Sequence, residues 1–103
     1  MTAVRDRDRD RQMLDIIRSL REGEVVTYGD IADDAGFAGL ARHVGHLLAS
    51  ADETLPWWRV VNSVGRLVPG SEDEQRALLA GEGVLCAGDR VRSAKYGRFS
   101  SRF

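Results

Sequence analysis

The sequence predicts a small α+β domain of winged-helix-like build that contains a helix-turn-helix. Three observations carry this. Apolar residues recur at helical spacing near the start of the chain, two short helical stretches are divided by a turn at Gly36, and after Pro56 short β-type runs give way to one capped helix. The chain has 103 residues, 43% hydrophobic and 30% charged, with two histidines and one cysteine. That suits one compact domain and is too apolar for a disordered chain. No apolar run approaches the ~20 residues that span a bilayer. No signal peptide opens the chain, so a soluble, cytoplasmic protein is expected.

The elements follow in order. Residues 1–10 are read as a charged leader, solvated or frayed, because Arg5-Asp6-Arg7-Asp8-Arg9-Asp10-Arg11 alternates sign without an apolar residue. Residues 11–103 are then one domain. Met13, Ile16, Ile17 and Leu20 stand at i, i+3, i+4 and i+7, predicting an amphipathic helix over 9–21 that Gly23 ends. Val25-Val26 is a short apolar pair. Thr27 is a candidate N-cap for a second helix reaching Ala35, and Asp30 falls where the helix dipole favours an acid.

A third helix runs over about 39–49. Leu40, Val44, Leu47 and Leu48 make its core stripe. Ala38, Ala41, Arg42, Gly45 and Ala49 cluster on the opposite side, small side chains around one long cation. A merely solvated helix would carry Lys, Glu and Gln there. A small-residue face permits close approach of another surface, which is the reading of a helix-turn-helix, although helix packing selects small residues as well.

After Pro56, Arg59-Val60-Val61-Asn62 and Arg66-Leu67-Val68 flank Ser63-Val64-Gly65 and predict a short hairpin. Ser71 with Glu74 reads as a capping box for a helix whose apolar side is Ala77-Leu78-Leu79, ended by Gly81 and Gly83. From Val84 the chain is Gly- and Ser-rich and expected to be extended. Charge is uneven. Residues 22–34 hold five acids and no Lys or Arg, whereas Arg90, Arg92, Lys95, Arg98 and Arg102 face only Asp89 near the C-terminus, under a formal net charge of -1. The basic end is either a solvated tail or a phosphate-binding segment.

Few residues offer chemistry. His43 and His46 share a helix without a carboxylate or thiolate at matching spacing, so a metal site is not expected and a rim or phosphate contact is. Cys86 has no cation-rich motif beside it and reads as a buried, inert thiol. Trp57 and Trp58 stand side by side after Pro56. In an extended segment one would point inward and one outward. They serve either the core or a wall for a flat ligand.

Several linked blocks decide among these readings. Val25-Val26-Thr27-Tyr28-Gly29-Asp30-Ile31-Ala32, Ala41-Arg42-His43-Val44-Gly45, Pro56-Trp57-Trp58-Arg59-Val60-Val61-Asn62, Gly65-Arg66-Leu67 and Leu78-Leu79-Ala80-Gly81-Glu82-Gly83-Val84 resemble, in order and spacing, the C-terminal domain of the O6-alkylguanine-DNA alkyltransferases. The enzymes carry Pro-Cys-His-Arg-Val, whose cysteine accepts the alkyl group. Here Trp57 occupies that position, as in the alkyltransferase-like proteins, and an indole is not a usable nucleophile. Trp58 replaces the histidine that, with a glutamate matching Glu82, activates the cysteine, so Glu82 is expected to be a structural acceptor.

The resemblance implies a non-enzymatic reader of DNA damage, a monomer that needs no cofactor. It implies a third helix in the minor groove of double-stranded DNA containing O6-alkylguanine, with Thr27, Tyr28, Ala38, Ala41, Arg42, Gly45 and Ala49 at the interface. Arg42 matches an arginine finger that fills the gap left by a flipped base, and Tyr28 a tyrosine that crowds the neighbouring phosphate. The implied lesion pocket comprises Tyr28, Trp57, Trp58, Arg59, Val60 and Ser63, with nucleotide excision repair proteins as partners. The rival reading is a winged-helix DNA-binding regulator without lesion specificity. A residual alkyltransferase using Cys86 would need that thiol within reach of the pocket.

Overall fold

The computed structural model describes the backbone of residues 2–100 and the side chains of residues 7–100. Helix α1 (Thr2–Arg18) is followed by β1 (Glu24–Thr27), α2 (Tyr28–Asp34) and α3 (Ala41–Ser50). A single 3-10 turn (Trp57–Arg59) leads into β2 (Val60–Val61), and α4 (Glu72–Ala80), β3 (Leu85–Ala87), β4 (Arg90–Ser93) and β5 (Tyr96–Gly97) complete the chain. The α+β class and the helix-turn-helix are as expected.

β1 lies at the centre of a parallel sheet of order β2-β1-β5. Because side chains alternate across a strand, its two valines part. Val26 and its partner Val60 face one cluster with Met13, Ile17, Ile31, Val44 and Leu55. Val25 and Val61 face a second cluster with Leu67, Leu79, Val84 and Val91. The helix-turn-helix therefore packs on one face of the sheet, and α4 with the β3–β4 hairpin on the other. At the far edge β5 comes so close to β1 that a Cβ at Gly97 would lie 2.3 Å from the Val25 carbonyl oxygen, and its φ of +89° also requires glycine.

The helix-turn-helix starts from a complete capping box. Thr27 Oγ1 accepts the Asp30 N–H at 3.0 Å, and Asp30 Oδ2 accepts the Thr27 N–H at 3.0 Å. Arg98, following β5, also donates to the Asp30 carboxylate, so the C-terminal segment is tied to the start of α2. That ion pair, with the Thr27 bonds, holds the Asp30 carboxyl below its ordinary value.

Five expectations are corrected. The first helix spans Thr2–Arg18, so the charged run expected to precede it lies inside it, and Asp10 meets His43 of α3. Val60-Val61 does not form a hairpin with residues 66–68. Both valines are fully buried, and β2 pairs with β1, while Arg66 bridges to Arg90. The two tryptophans sit on a 3-10 turn and not in an extended segment. Ser71 makes no side-chain cap, since its φ of −124° and ψ of 17° differ from the usual extended N-cap backbone; Glu72 instead accepts the Gly70 N–H. Finally, α4 turns Gln75 and Leu79 inward and leaves Ala77 and Leu78 exposed. The segment after Val84 is extended, as three short strands. Arg102 lies outside the described residues, as does Met1 of the expected leader.

Gln75 is fully buried, and its amide braces the 3-10 turn. Its Nε2 donates to the carbonyls of Trp58 (3.1 Å) and Val60 (3.2 Å), and its Oε1 accepts the Val68 N–H at 2.7 Å. Leucine of similar volume would strand those three backbone groups. Gln75→Leu should cost about 3 kcal/mol, since each unsatisfied buried group costs ~1–3. Urea unfolding checks this, and an unchanged midpoint would show the amide to be dispensable.

Candidate nucleic-acid interface

α3 presents the small-residue face that its sequence predicts. Ala41, Arg42, Gly45, His46 and Ala49 form one wall of an open cleft of about 600 Å³. Thr27, Tyr28 and Gly29, at the β1–α2 junction, form a second wall, and Asn62 and Ser63 a third. Arg42 is exposed and makes no side-chain hydrogen bond or ion pair with described residues. A smaller cleft of about 170 Å³ adjoins it, lined by Tyr28, Gly45, Leu48, Ala49, Trp57 and Val68. Tyr28, Gly45 and Ala49 belong to both, so the Tyr28 ring stands at their junction. Burial pushes the Tyr28 phenol further up from its ordinary value, so it stays a neutral donor well above physiological pH.

The structure divides the adjacent tryptophans between two tasks. Their rings meet edge to face, with centroids 6.3 Å apart and planes at 88°. Trp57 lines the smaller cleft, and its indole N–H has no protein acceptor among the described residues. Trp58 packs on the second core cluster and donates its indole N–H to Glu82 at 2.7 Å.

Glu82 organises the turn from beneath. Its carboxylate accepts from Arg59 Nη2 (2.7 Å) and Nε, from Trp58 Nε1 and from the Gly23 N–H (2.9 Å). Arg59 also donates to the Leu20 carbonyl at 2.8 Å and lies 5.2 Å from the Trp58 ring. Burial alone would raise the Glu82 pKa, but the bonds from Arg59, Gly23 and Trp58 together hold it below its ordinary value. Glu82 is the structural acceptor that was expected.

The expected site residues thus part company. Thr27, Tyr28, Ala41, Arg42, Gly45, Ala49, Ser63 and Trp57 line one or both clefts. Ala38 lies exposed in the α2–α3 turn and lines neither. Trp58, Arg59 and Val60 line neither cleft: the first two are held by Glu82, and Val60 is fully buried in β2. His43 is turned to Asp10, at 2.7 Å, and not to the cleft, whereas His46 does line it. Sequence reading missed Gly29, Asn62, Leu48 and Val68. The rim position expected of the histidines is taken by His46, four residues from Arg42 on the same helix face, and not by His43. Asn62 had a signal: its side chain accepts from the N–H groups of Val64 and Arg66, the local turn that asparagine favours.

A helix-turn-helix whose second helix offers a small-residue face and a free arginine, beside an aromatic cleft, defines a DNA-binding domain of the alkyltransferase type. Comparison with known proteins agrees. Residues 8–84 match the family described as 6-O-methylguanine DNA methyltransferase, DNA binding domain, and the chain belongs to that family. It is 43% identical over 77 residues to a protein of Vibrio parahaemolyticus named DNA base-flipping protein, covering 71% of this chain and 77% of that one. It is 33% identical over 79 residues to Alkyltransferase-like protein 1 of Schizosaccharomyces pombe, covering 71% and 73%. The crystal structure of S. pombe Atl1 in complex with damaged DNA containing O6-carboxymethylguanine superposes with a TM-score of 0.69 at 30% identity, over 77% of this chain and 79% of that one.

Because the Glu82 pKa is depressed on folding, its charge contributes stability that is fully present above the ordinary value near 4.5 and is lost as pH falls through the folded-state value. Glu82→Gln should cost about 2 kcal/mol at pH 7, since it leaves the part-buried Arg59 guanidinium without its counter-charge. The same variant should flatten the acid limb of stability against pH. Chemical denaturation at several pH values reads both effects, and a variant as stable as the parent would show the carboxylate to be peripheral.

Proposed function

We propose that this protein is a non-enzymatic reader of alkylated DNA. It binds double-stranded DNA containing O6-alkylguanine, lays α3 in the minor groove, rotates the damaged base into the paired clefts, and marks the site for nucleotide excision repair. The observation that carries this reading is the junction at Tyr28. An open cleft rimmed by a free Arg42 runs into a smaller one lined by Trp57, along a helix face of Ala41, Gly45 and Ala49. The name of the V. parahaemolyticus relative and the damaged DNA bound to S. pombe Atl1 support it.

Each step has a physical basis. Small side chains let a helix approach a narrow groove, where a long cation can enter the base stack. Extruding a base costs a few kcal/mol, least where pairing is already damaged. An O6-alkylguanine has lost its N1–H donor, so its pair is weak, and stacking on an aromatic side chain recovers about 1–3 kcal/mol. Trp57 and Tyr28 supply such surfaces, and Ser63 a hydroxyl at the rim. The rest of the expected pocket acts indirectly, as Trp58 and Arg59 fix the turn that carries Trp57.

Alkyl transfer has no nucleophile in this site. Trp57 holds the position of the acceptor cysteine, and its indole does not attack a carbon electrophile. Cys86 packs on the second core cluster and lines neither cleft, and burial pushes its thiol up from its ordinary value. That favours the unreactive protonated form.

Titration against matched duplexes with and without O6-methylguanine should show at least about tenfold preference for the lesion, as one ~1.4 kcal/mol stacking contact would give. Equal affinities would support a regulator that reads DNA without lesion specificity. Intact mass after incubation with methylated DNA should be unchanged, and a stable methyl adduct on Cys86 would overturn the non-enzymatic reading.

Arg42→Ala should weaken binding by about 1–3 kcal/mol, the scale of a single DNA contact. It should also remove the fluorescence rise of a 2-aminopurine placed at the flipped position. Full base fluorescence in the variant would assign base extrusion to other residues.

A further inference from the structure

The β3–β4 hairpin carries a second charged surface. Arg66 and Arg90 form an isolated antiparallel bridge, bounded by hydrogen bonds from Val91 N–H to the Gly65 carbonyl and from Leu67 N–H to the Asp89 carbonyl, both 2.8 Å. That pattern makes Arg66 and Arg90 a non-hydrogen-bonded pair, the geometry in which opposed side chains stand closest, with Cα atoms ~4.5 Å apart. Like charges directly opposite each other destabilise a sheet. Arg92, two residues along β4, shares their face, because Val91 between them is buried. All three arginines are exposed, and none makes a side-chain hydrogen bond or ion pair with the described residues.

Other arginines nearby are occupied. Arg76 takes the hairpin's own acid, Asp89, at 2.9 Å, together with Asp73. Arg98 takes Asp30, and Arg59 takes Glu82. Lys95 lays its alkyl chain against Gly23 and Gly83. Among the described residues, no side chain pairs with Arg66 or Arg90 to offset their repulsion, and an anion from outside would relieve it.

The geometry points to the DNA backbone as that anion: Arg66, Arg90 and Arg92 form a phosphate-binding wing that grips the duplex beside the flipped-base site. Continuity places it there. Ser63 lines the larger cleft, and the turn held by Asn62 leads within three residues to Arg66, a reach of at most ~11 Å. Arg90 and Arg92 lie ~6.6 Å apart along the strand, far enough for their long side chains to reach separate phosphates. This inference rests on the reading of the protein as a binder of duplex DNA and adds that part of its affinity is independent of the lesion.

The test is a salt series on the full chain with plain and O6-methylguanine duplexes, comparing wild type with R66Q/R90Q/R92Q. Each phosphate contact contributes about 0.9 to the slope of log K against log salt. The triple variant should lower that slope by about 2 to 3 on both duplexes, leave the lesion-to-plain ratio unchanged, and melt no lower than wild type. The charge-conserving R66K/R90K/R92K should keep the wild-type slope. If the triple variant fails to fold, R92Q, away from the opposed pair, should still lower the slope by about 0.9. An unchanged slope, as for a patch that serves an acidic protein, overturns the wing, and so does a loss confined to the lesion duplex. Wild type without lesion preference, but with a slope that depends on these arginines, would overturn the lesion reading and leave the wing standing.

Discussion

The carboxylate of Glu82 is the interaction on which the rest depends. It accepts from a side chain on each of two consecutive residues, Trp58 and Arg59, and from the backbone of Gly23 at the entrance to β1. One part-buried acid thereby joins the end of α4, the 3-10 turn and the central strand. A 3-10 turn of three residues has little stability of its own. With Trp58 and Arg59 drawn to Glu82 and the Trp58 and Val60 carbonyls held by Gln75, the remaining tryptophan, Trp57, stays at the smaller cleft. Every bond that Glu82 accepts holds another part of the fold in position.

The sheet gives this arrangement its two sides. Two neighbouring valines on β1 and two on β2 send alternate side chains into separate clusters, so a minimal parallel sheet divides the helix-turn-helix from the α4 and hairpin layer. The walls that the strands give the larger cleft gather where the layers meet, at the C-terminal ends of β1 and β2. Thr27 and Tyr28 leave one strand there, and Asn62 and Ser63 the other. The Arg98–Asp30 and Asp10–His43 pairs then brace α2 and α3 from outside the cleft.

Legibility in the sequence followed the range of the interactions. Met13, Ile17 and Val44 were readable as core because helical periodicity is local, and Thr27 was readable as a cap because its partner, Asp30, is three residues away. The small face of α3 was equally plain. The partner of β2 was not, since Val60-Val61 pairs with a strand more than thirty residues earlier and nearby Arg66-Leu67 looked closer. Gln75 gave no sign of the backbone it satisfies, and Ser71 followed a capping pattern that its backbone does not adopt. Of the candidate site, Tyr28, Arg42 and Trp57 were legible through resemblance, whereas the withdrawal of Trp58 and Arg59 to Glu82 depends on a contact across more than twenty residues.

The central claim is that the two tryptophans have separate work, Trp57 for the ligand and Trp58 for the fold. Their indole N–H resonances, assigned by substitution and followed by heteronuclear NMR during titration with O6-methylguanine duplex, test it most directly. The account predicts that the Trp57 resonance shifts markedly with the lesion duplex and much less with the unmodified one, while the Trp58 resonance stays with its Glu82 bond. A shift of Trp58 with Trp57 unmoved, or the same Trp57 response to both duplexes, would contradict it.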